Sequence, residues 1–143
     1  MLMCPFCACG QNMFSRMDSL LSNSTVKCRT EISFRGNSVS GLCLMRMLND
    51  TIVGSIINEF GIKMLDFRYD RRKQKIWLYN VVKRLNKWYT KKVIKKDLIF
   101  FLCRLTGEYE ATDGCRACKE ISHESIIVTN KRYNITYSFT LLN

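Results

Sequence analysis

The sequence predicts an α+β domain of about seven strands and one long helix, and three observations carry that expectation. Side chains alternate between apolar and polar through residues 26–57. One stretch, 87–105, carries apolar residues at helical spacing, and a second alternating pair closes the chain at 125–142. With 143 residues, 47% hydrophobic and 24% charged, the chain can bury one core without metals or disulfides.

The first strand is VKCRTEISF, with Val26, Cys28, Thr30, Ile32 and Phe34 on one face and Lys27, Arg29, Glu31 and Ser33 on the other. Gly36-Asn37 reads as a two-residue hairpin loop. Pairing about it sets Phe34 opposite Val39, Ile32 opposite Gly41, Thr30 opposite Cys43 and Cys28 opposite Met45. Asn49-Asp50 is the next turn, which sets Met47 opposite Ile52, Met45 opposite Gly54 and Cys43 opposite Ile56. Leu42, Leu44, Val53 and Ile57 fall on the reverse face, so the sheet is expected to be covered on both sides.

FGIKMLDFRYD, residues 60–70, changes parity between Met64 and Leu65, which predicts a bulged fourth strand. The basic turn RRKQK leads to a fifth strand in IWLYNVV. The helix over 87–105, with Asn86 as its N-cap, presents Trp88, Val93 or Ile94, Leu98, Phe101, Leu102 and Leu105 as a stripe to cover the sheet. Its other face carries Lys87, Lys91, Lys92, Lys95 and Lys96, and Gly107 ends it. A polar loop holding Cys115, Cys118 and His123 follows, then two strands about an Asn130-Lys131 turn.

Catalysis has little to work with. There is one histidine, no Gly-rich phosphate loop, no nucleophile elbow and no carboxylate cluster beyond pairs such as Glu108 and Glu110, so no enzyme is expected. The charge says more: 23 Lys+Arg against 12 Asp+Glu give +11, a field that favours a polyanion or an anionic membrane surface. No run is long and apolar enough to span a bilayer.

Among the 8 cysteines, Cys28, Cys43 and Cys103 sit in apolar periodic segments and read as core. Cys4/Cys7 and Cys115/Cys118 have the internal spacing of zinc ligands. Their wide separation, and the apolar leader around the first pair, favour a disulfide or free thiols at Cys115/Cys118, so neither metal nor cofactor is expected.

Residues 71–96 interleave cations with Trp77, Tyr79, Trp88 and Tyr89, the composition of a nucleic-acid stacking surface. Those aromatics also occupy strand and helix positions that a core needs, and no nucleic-acid module motif accompanies them. A cytosolic basic nucleic-acid-binding module is therefore the alternative reading.

At the N-terminus, Phe6-Cys7-Ala8-Cys9 followed by Gly10-Gln11-Asn12 is similar to the end of a bacterial lipoprotein signal, with Cys9 as the acceptor. Residues 1–12 are read as the remnant of that signal or a tether, and 13–143 as one domain.

RTEISFRGNSVSGLCLMRMLNDTIVGSIINEFGIKMLDFRYD, LNKWYTKKVIKKDLIFFL and ESIIVTNKRYNITYSFTLL together resemble small cell-envelope lipoproteins of the LolA/LolB-like (lipoprotein localisation factor) superfamily. The resemblance implies a curved antiparallel sheet, an incomplete barrel, covered on its concave side by the long helix. It also implies an apolar cavity that takes a lipid or the acyl chain of a lipoprotein. By alternation, the cavity wall would be Ile32, Phe34, Cys43, Met45, Met47, Ile56, Ile94, Leu98 and Phe101. Arg71, Arg72, Lys91, Lys92, Lys95 and Lys96 would face an anionic membrane surface, with the protein lipid-anchored in the cell envelope.

Overall fold

The computed structural model describes residues 19–106 and 114–142; Cys4, Cys7, Cys9, the 1–12 tether and Gly107 lie outside the described residues. Eight strands, not seven, form one antiparallel sheet: β1 (Val26–Phe34), β2 (Asn37–Leu48), β3 (Thr51–Asn58), β4 (Lys63–Asp70), β5 (Lys75–Tyr79), β6 (Arg116–Glu120), β7 (Ser125–Asn130) and β8 (Ile135–Leu141). Their order is β5-β4-β3-β2-β1-β8-β7-β6, so the sheet is curved and unclosed, with β5 and β6 as its edges. The long helix, Trp88–Leu105, joins those two edges and packs on one face of the sheet.

The extra strand is β6, inside the stretch expected to be a polar loop. Arg-Ala-Cys-Lys-Glu shows no apolar alternation because β6 pairs only with β7, and an edge strand tolerates charge. The strand after the basic turn is shorter than expected and ends at Tyr79. The closing hairpin turns through residues 131–134, with Asn134 at φ 56°, rather than about Asn130-Lys131.

The β2–β3 register is the one expected, with Met47 opposite Ile52, Met45 opposite Gly54 and Cys43 opposite Ile56. The β1–β2 register differs by two residues: Phe34 faces Asn37, Ile32 faces Val39 and Cys28 faces Cys43. The loop is Arg35-Gly36, at φ 51° and 79°. A type I′ turn needs the larger positive φ at its second position, so the glycine takes that place and Arg35 the milder one. A shift of two preserves the parity, and every side chain keeps its face. The β4 bulge falls where the parity break put it, with Ile56 facing Leu65 and Ile57 facing Lys63, leaving Met64 unpaired.

The core lies between the sheet and the second half of the helix. Val26, Cys28, Cys43, Met45, Ile52, Phe67, Tyr69, Val128 and Phe139 meet Leu98, Phe101, Leu102, Cys103 and Leu105 there. Phe101 stacks on Phe139 with ring centroids 4.1 Å apart, and the Tyr69 hydroxyl lies 3.0 Å from Cys103 Sγ. Full burial of each large side chain contributes about 1.5–3 kcal/mol. Gly54 lets the Phe67 ring lie flat across β3, since a Cβ there would sit 2.4 Å from Phe67 Cζ.

Two expectations about coverage fail. Trp88 is 75% exposed rather than part of the buried stripe, and the helix starts after Lys87 with no side-chain cap from Asn86. The reverse face of the sheet is not sealed: Leu42 and Leu48 are exposed, and Trp77 is 40% exposed beneath the Arg68 guanidinium. Trp77 alternates with the buried Ile76, so the β5 aromatic belongs to the outer face and not the core.

Candidate ligand cavity between sheet and helix

The turns sort to two ends of the sheet. Arg35-Gly36, the β3–β4 connection and the 131–134 turn gather at one end; the β2–β3 and β4–β5 turns lie at the other, where Arg71 N–H donates to the Asp50 carbonyl at 3.0 Å. At the first end the helix covers a cavity of about 810 Å³. Its wall comes from Ile32, Phe34, Ile56, Leu65 and Ile135 on the sheet, and from Val93, Ile94 and Leu98 on the helix.

Five of the nine expected wall residues line it: Ile32, Phe34, Ile56, Ile94 and Leu98. Cys43, Met45 and Phe101 face the same way but lie further along the sheet, where the helix is in contact, and are solid core. Met47 also lies beyond the cavity, with Arg71 Nη1 3.5 Å from its sulfur. The correction has one cause. Alternation assigns a face, but whether that face is filled depends on how near the helix lies.

The mouth is cationic. Arg35, Arg84, Lys92, Lys96 and Arg132 border the cavity, and among the described residues no aspartate or glutamate lines it. Trp88, Tyr89 and Tyr133 stand exposed around them. Arg35 lies over the Phe34 ring and Arg132 over the Tyr133 ring, at 5.0 and 5.6 Å from the centroids, so both guanidiniums are held on aromatic faces. Among the described residues, no carboxylate pairs with any of these five cations.

The expected anionic-facing set divides accordingly. Lys92 and Lys96 border the cavity, Lys91 and Lys95 lie on the same helix outside it, and Arg71 and Arg72 sit at the opposite end of the sheet. Arg72 is paired there with Asp50 at 2.8 Å. These six residues do not form one patch.

Sequence reasoning missed the polar group that fixes the cavity's inner edge. Asp97, 2% exposed on the helix, accepts from Arg116 Nε at 2.7 Å, Asn130 Nδ2 at 2.9 Å and the Tyr137 hydroxyl. Arg116 and Tyr137 also line the cavity. Burial and the Asp97 carboxylate together push the Tyr137 hydroxyl well above the usual phenol range, so it stays a donor. The signal was an aspartate inside the apolar stripe, one position before Leu98, because a charge on a buried face requires partners. Its partners come from β6, β7 and β8, which no local pattern connects to the helix.

A second buried carboxylate, Asp66, lies on the reverse face. Burial pushes it up, but hydrogen bonds from Asn80 (2.7 Å), Ser55 and Lys63 (3.2 Å), with the Lys63 charge, hold it below the ordinary value. Every acceptor there is engaged, which suits structure rather than proton transfer.

The thiols are equally quiet. Burial pushes Cys28 up to about 12 and Cys118 to about 11, and Cys43 is raised well above its ordinary value by burial and by Cys28 opposite it. No disulfide joins Cys115 to Cys118, and among the described residues no group of His, Cys, Asp or Glu is arranged to hold a metal. His123 sits in the exposed β6–β7 connection.

Among the described residues, no helix is long and apolar enough to cross a membrane. No protein-family model matches the chain, and no curated protein matches it either.

Proposed function

We propose that this is a non-enzymatic cell-envelope lipoprotein of the LolA/LolB-like kind that binds a lipid or acyl chain between its sheet and its helix. The observation that carries this reading is the cavity itself, about 810 Å³ with apolar walls, open at one end of a half-open sheet. That volume lies within the roughly 300–1,000 Å³ of small-molecule sites. Each methylene moved from water onto such walls contributes about 0.8 kcal/mol, so a long chain gains affinity without directed polar contacts. The fold supports the resemblance at the level of architecture: an α+β domain with a curved, unclosed antiparallel sheet and one covering helix.

Anchoring through Cys9 belongs to the same proposal, and an acylated N-terminus together with a basic surface makes attachment stable where either alone is weak. The nucleic-acid alternative is less favoured because its aromatics are split. Trp77 and Tyr79 lie on the reverse face of β5, while Trp88 and Tyr89 stand at the cavity mouth, so they do not make one stacking platform.

Native mass spectrometry of the protein purified from the membrane fraction tests the reading. A retained lipid mass, with acyl mass on Cys9, is the expected result. A soluble, unmodified chain that carries no lipid mass and is retained on nucleic acid at low salt would reverse the order of the two readings.

A further inference from the structure

We infer that the cavity takes one acyl chain with an anionic head: the chain runs inward toward Leu98 and Ile56, and the head is held at the mouth by Arg35, Lys92, Lys96 and Arg132. This rests on the lipid-binding reading above and names the ligand class that reading leaves open.

Charge is the first argument. Among the described residues, five cations border the mouth, no carboxylate lines it, and none of the five cations is neutralised by an ion pair. The sixth lining cation, Arg116, is different, since it is buried against Asp97. A carboxylate or phosphate at the mouth meets an unbalanced positive field next to a low-dielectric wall, and a cationic head is repelled by it.

Polarity along the cavity is the second. Leu65, Ile56 and Leu98 are buried at the inner end, whereas Phe34, Trp88, Arg132 and Tyr133 are exposed at the outer end. An amphiphile therefore has one favourable direction of entry.

Volume is the third. At about 30 Å³ per methylene-sized unit, the share of one water in the liquid, a sixteen-carbon chain needs roughly 480 Å³. One such chain fits the 810 Å³ with room for its head, and two, at roughly 960 Å³ by the same measure, do not.

The test is calorimetric titration of the full chain with twelve-carbon amphiphiles kept below their micellar concentrations: dodecanoate, dodecyl phosphate, dodecyldimethylamine oxide and dodecyltrimethylammonium. The two anions are expected to bind at least tenfold more tightly than the amine oxide, with the ammonium weakest. The R35Q/K92Q/K96Q variant, altered only at exposed positions, should bring the anions to the level of the amine oxide.

Equal affinity for all four heads overturns the head-group inference and leaves lipid binding standing. Absence of binding by all four removes both. Two or more hexadecanoates bound per protein overturn the single-chain assignment, since a pair needs roughly 960 Å³. Binding of inorganic phosphate or anionic vesicles, with none of monomeric dodecanoate, makes the cations a surface anion site and overturns the inference as well.

Discussion

Over residues 98–105 the long helix lies directly on the sheet, with Phe101 stacked on Phe139 and Cys103 against Tyr69. Over residues 88–94 the same helix stands above a cavity, its Trp88 and Tyr89 exposed and its Val93 and Ile94 only half-buried. The Asp97 group lies at the boundary, tied to three different strands. The comparison teaches that the helix is fixed at one end and at its middle, so the other end can stand away from the sheet without the fold relying on it. Stability is concentrated away from the cavity.

That division can be broken most severely at its fixed points. Phe101→Ala should reduce stability by about 3–5 kcal/mol in urea unfolding, the range for removing a large buried aromatic. Asp97→Ala should reduce it by a similar ~3–5 kcal/mol, because the buried Arg116 guanidinium, the Asn130 amide and the Tyr137 hydroxyl lose the acceptor they share. Pairing that change with Arg116→Met should recover most of the loss; no recovery would mean that Asp97 acts chiefly through Asn130 and Tyr137.

Next in size is Gly54→Ala, which forces the Phe67 ring off β3 and should reduce stability by about 1–3 kcal/mol. Smaller again is Ile94→Ala at the cavity wall: less than about 1 kcal/mol, against the ~2–5 kcal/mol of a packed Leu or Ile. A loss as large as that of Phe101→Ala would place Ile94 in the core and remove the distinction between the two ends.

The smallest effect is that of pH on the reverse face. The folded Asp66 carboxyl sits below its ordinary value, so the folded state favours the carboxylate. Its contribution is fully present above the ordinary value, near pH 4, and is lost as pH falls through the folded value. Unfolding midpoints should be flat, as far as Asp66 is concerned, from pH 7 to 5 and decline below about 4. Asn80→Ala, by raising the folded value toward the ordinary one, should make that decline smaller and end it at a higher pH.

The sequence made the faces legible and left the distances hidden. Asn49 takes φ 58° in the β2–β3 turn, a conformation its side chain tolerates, and that register follows from counting. Arg35 in the same region of φ is not a turn signal, so counting from Gly36-Asn37 missed by two while keeping each face correct. The Met64 bulge was readable because it breaks alternation; β6 was not, because it has no alternation to break.

Cys28 and Ile32 belong to one alternating series on β1, yet the first is core and the second walls a cavity. Nothing in their spacing tells them apart, because the difference is where the helix departs from the sheet. The Asp97 partners were hidden for a related reason: Arg116, Asn130 and Tyr137 converge only once three strands are in register.

The neighbour relation between β1 and β8 has a consequence in time. Among the described residues Val26–Phe34 is the first strand and Ile135–Leu141 the last, and they pair from Cys28 with Leu141 to Phe34 with Ile135. Strands β1 to β5 can assemble as each emerges, since every pairing among them is between sequential neighbours. β1 nevertheless keeps a bare edge, and Phe101 has no Phe139 to stack on, until the final residues arrive. Such a long-range closure is slow compared with local hairpins. The site is therefore completed only once β8 has been made, and a chain cut before Ile135 would present an open strand edge where β1 otherwise has a sealed one.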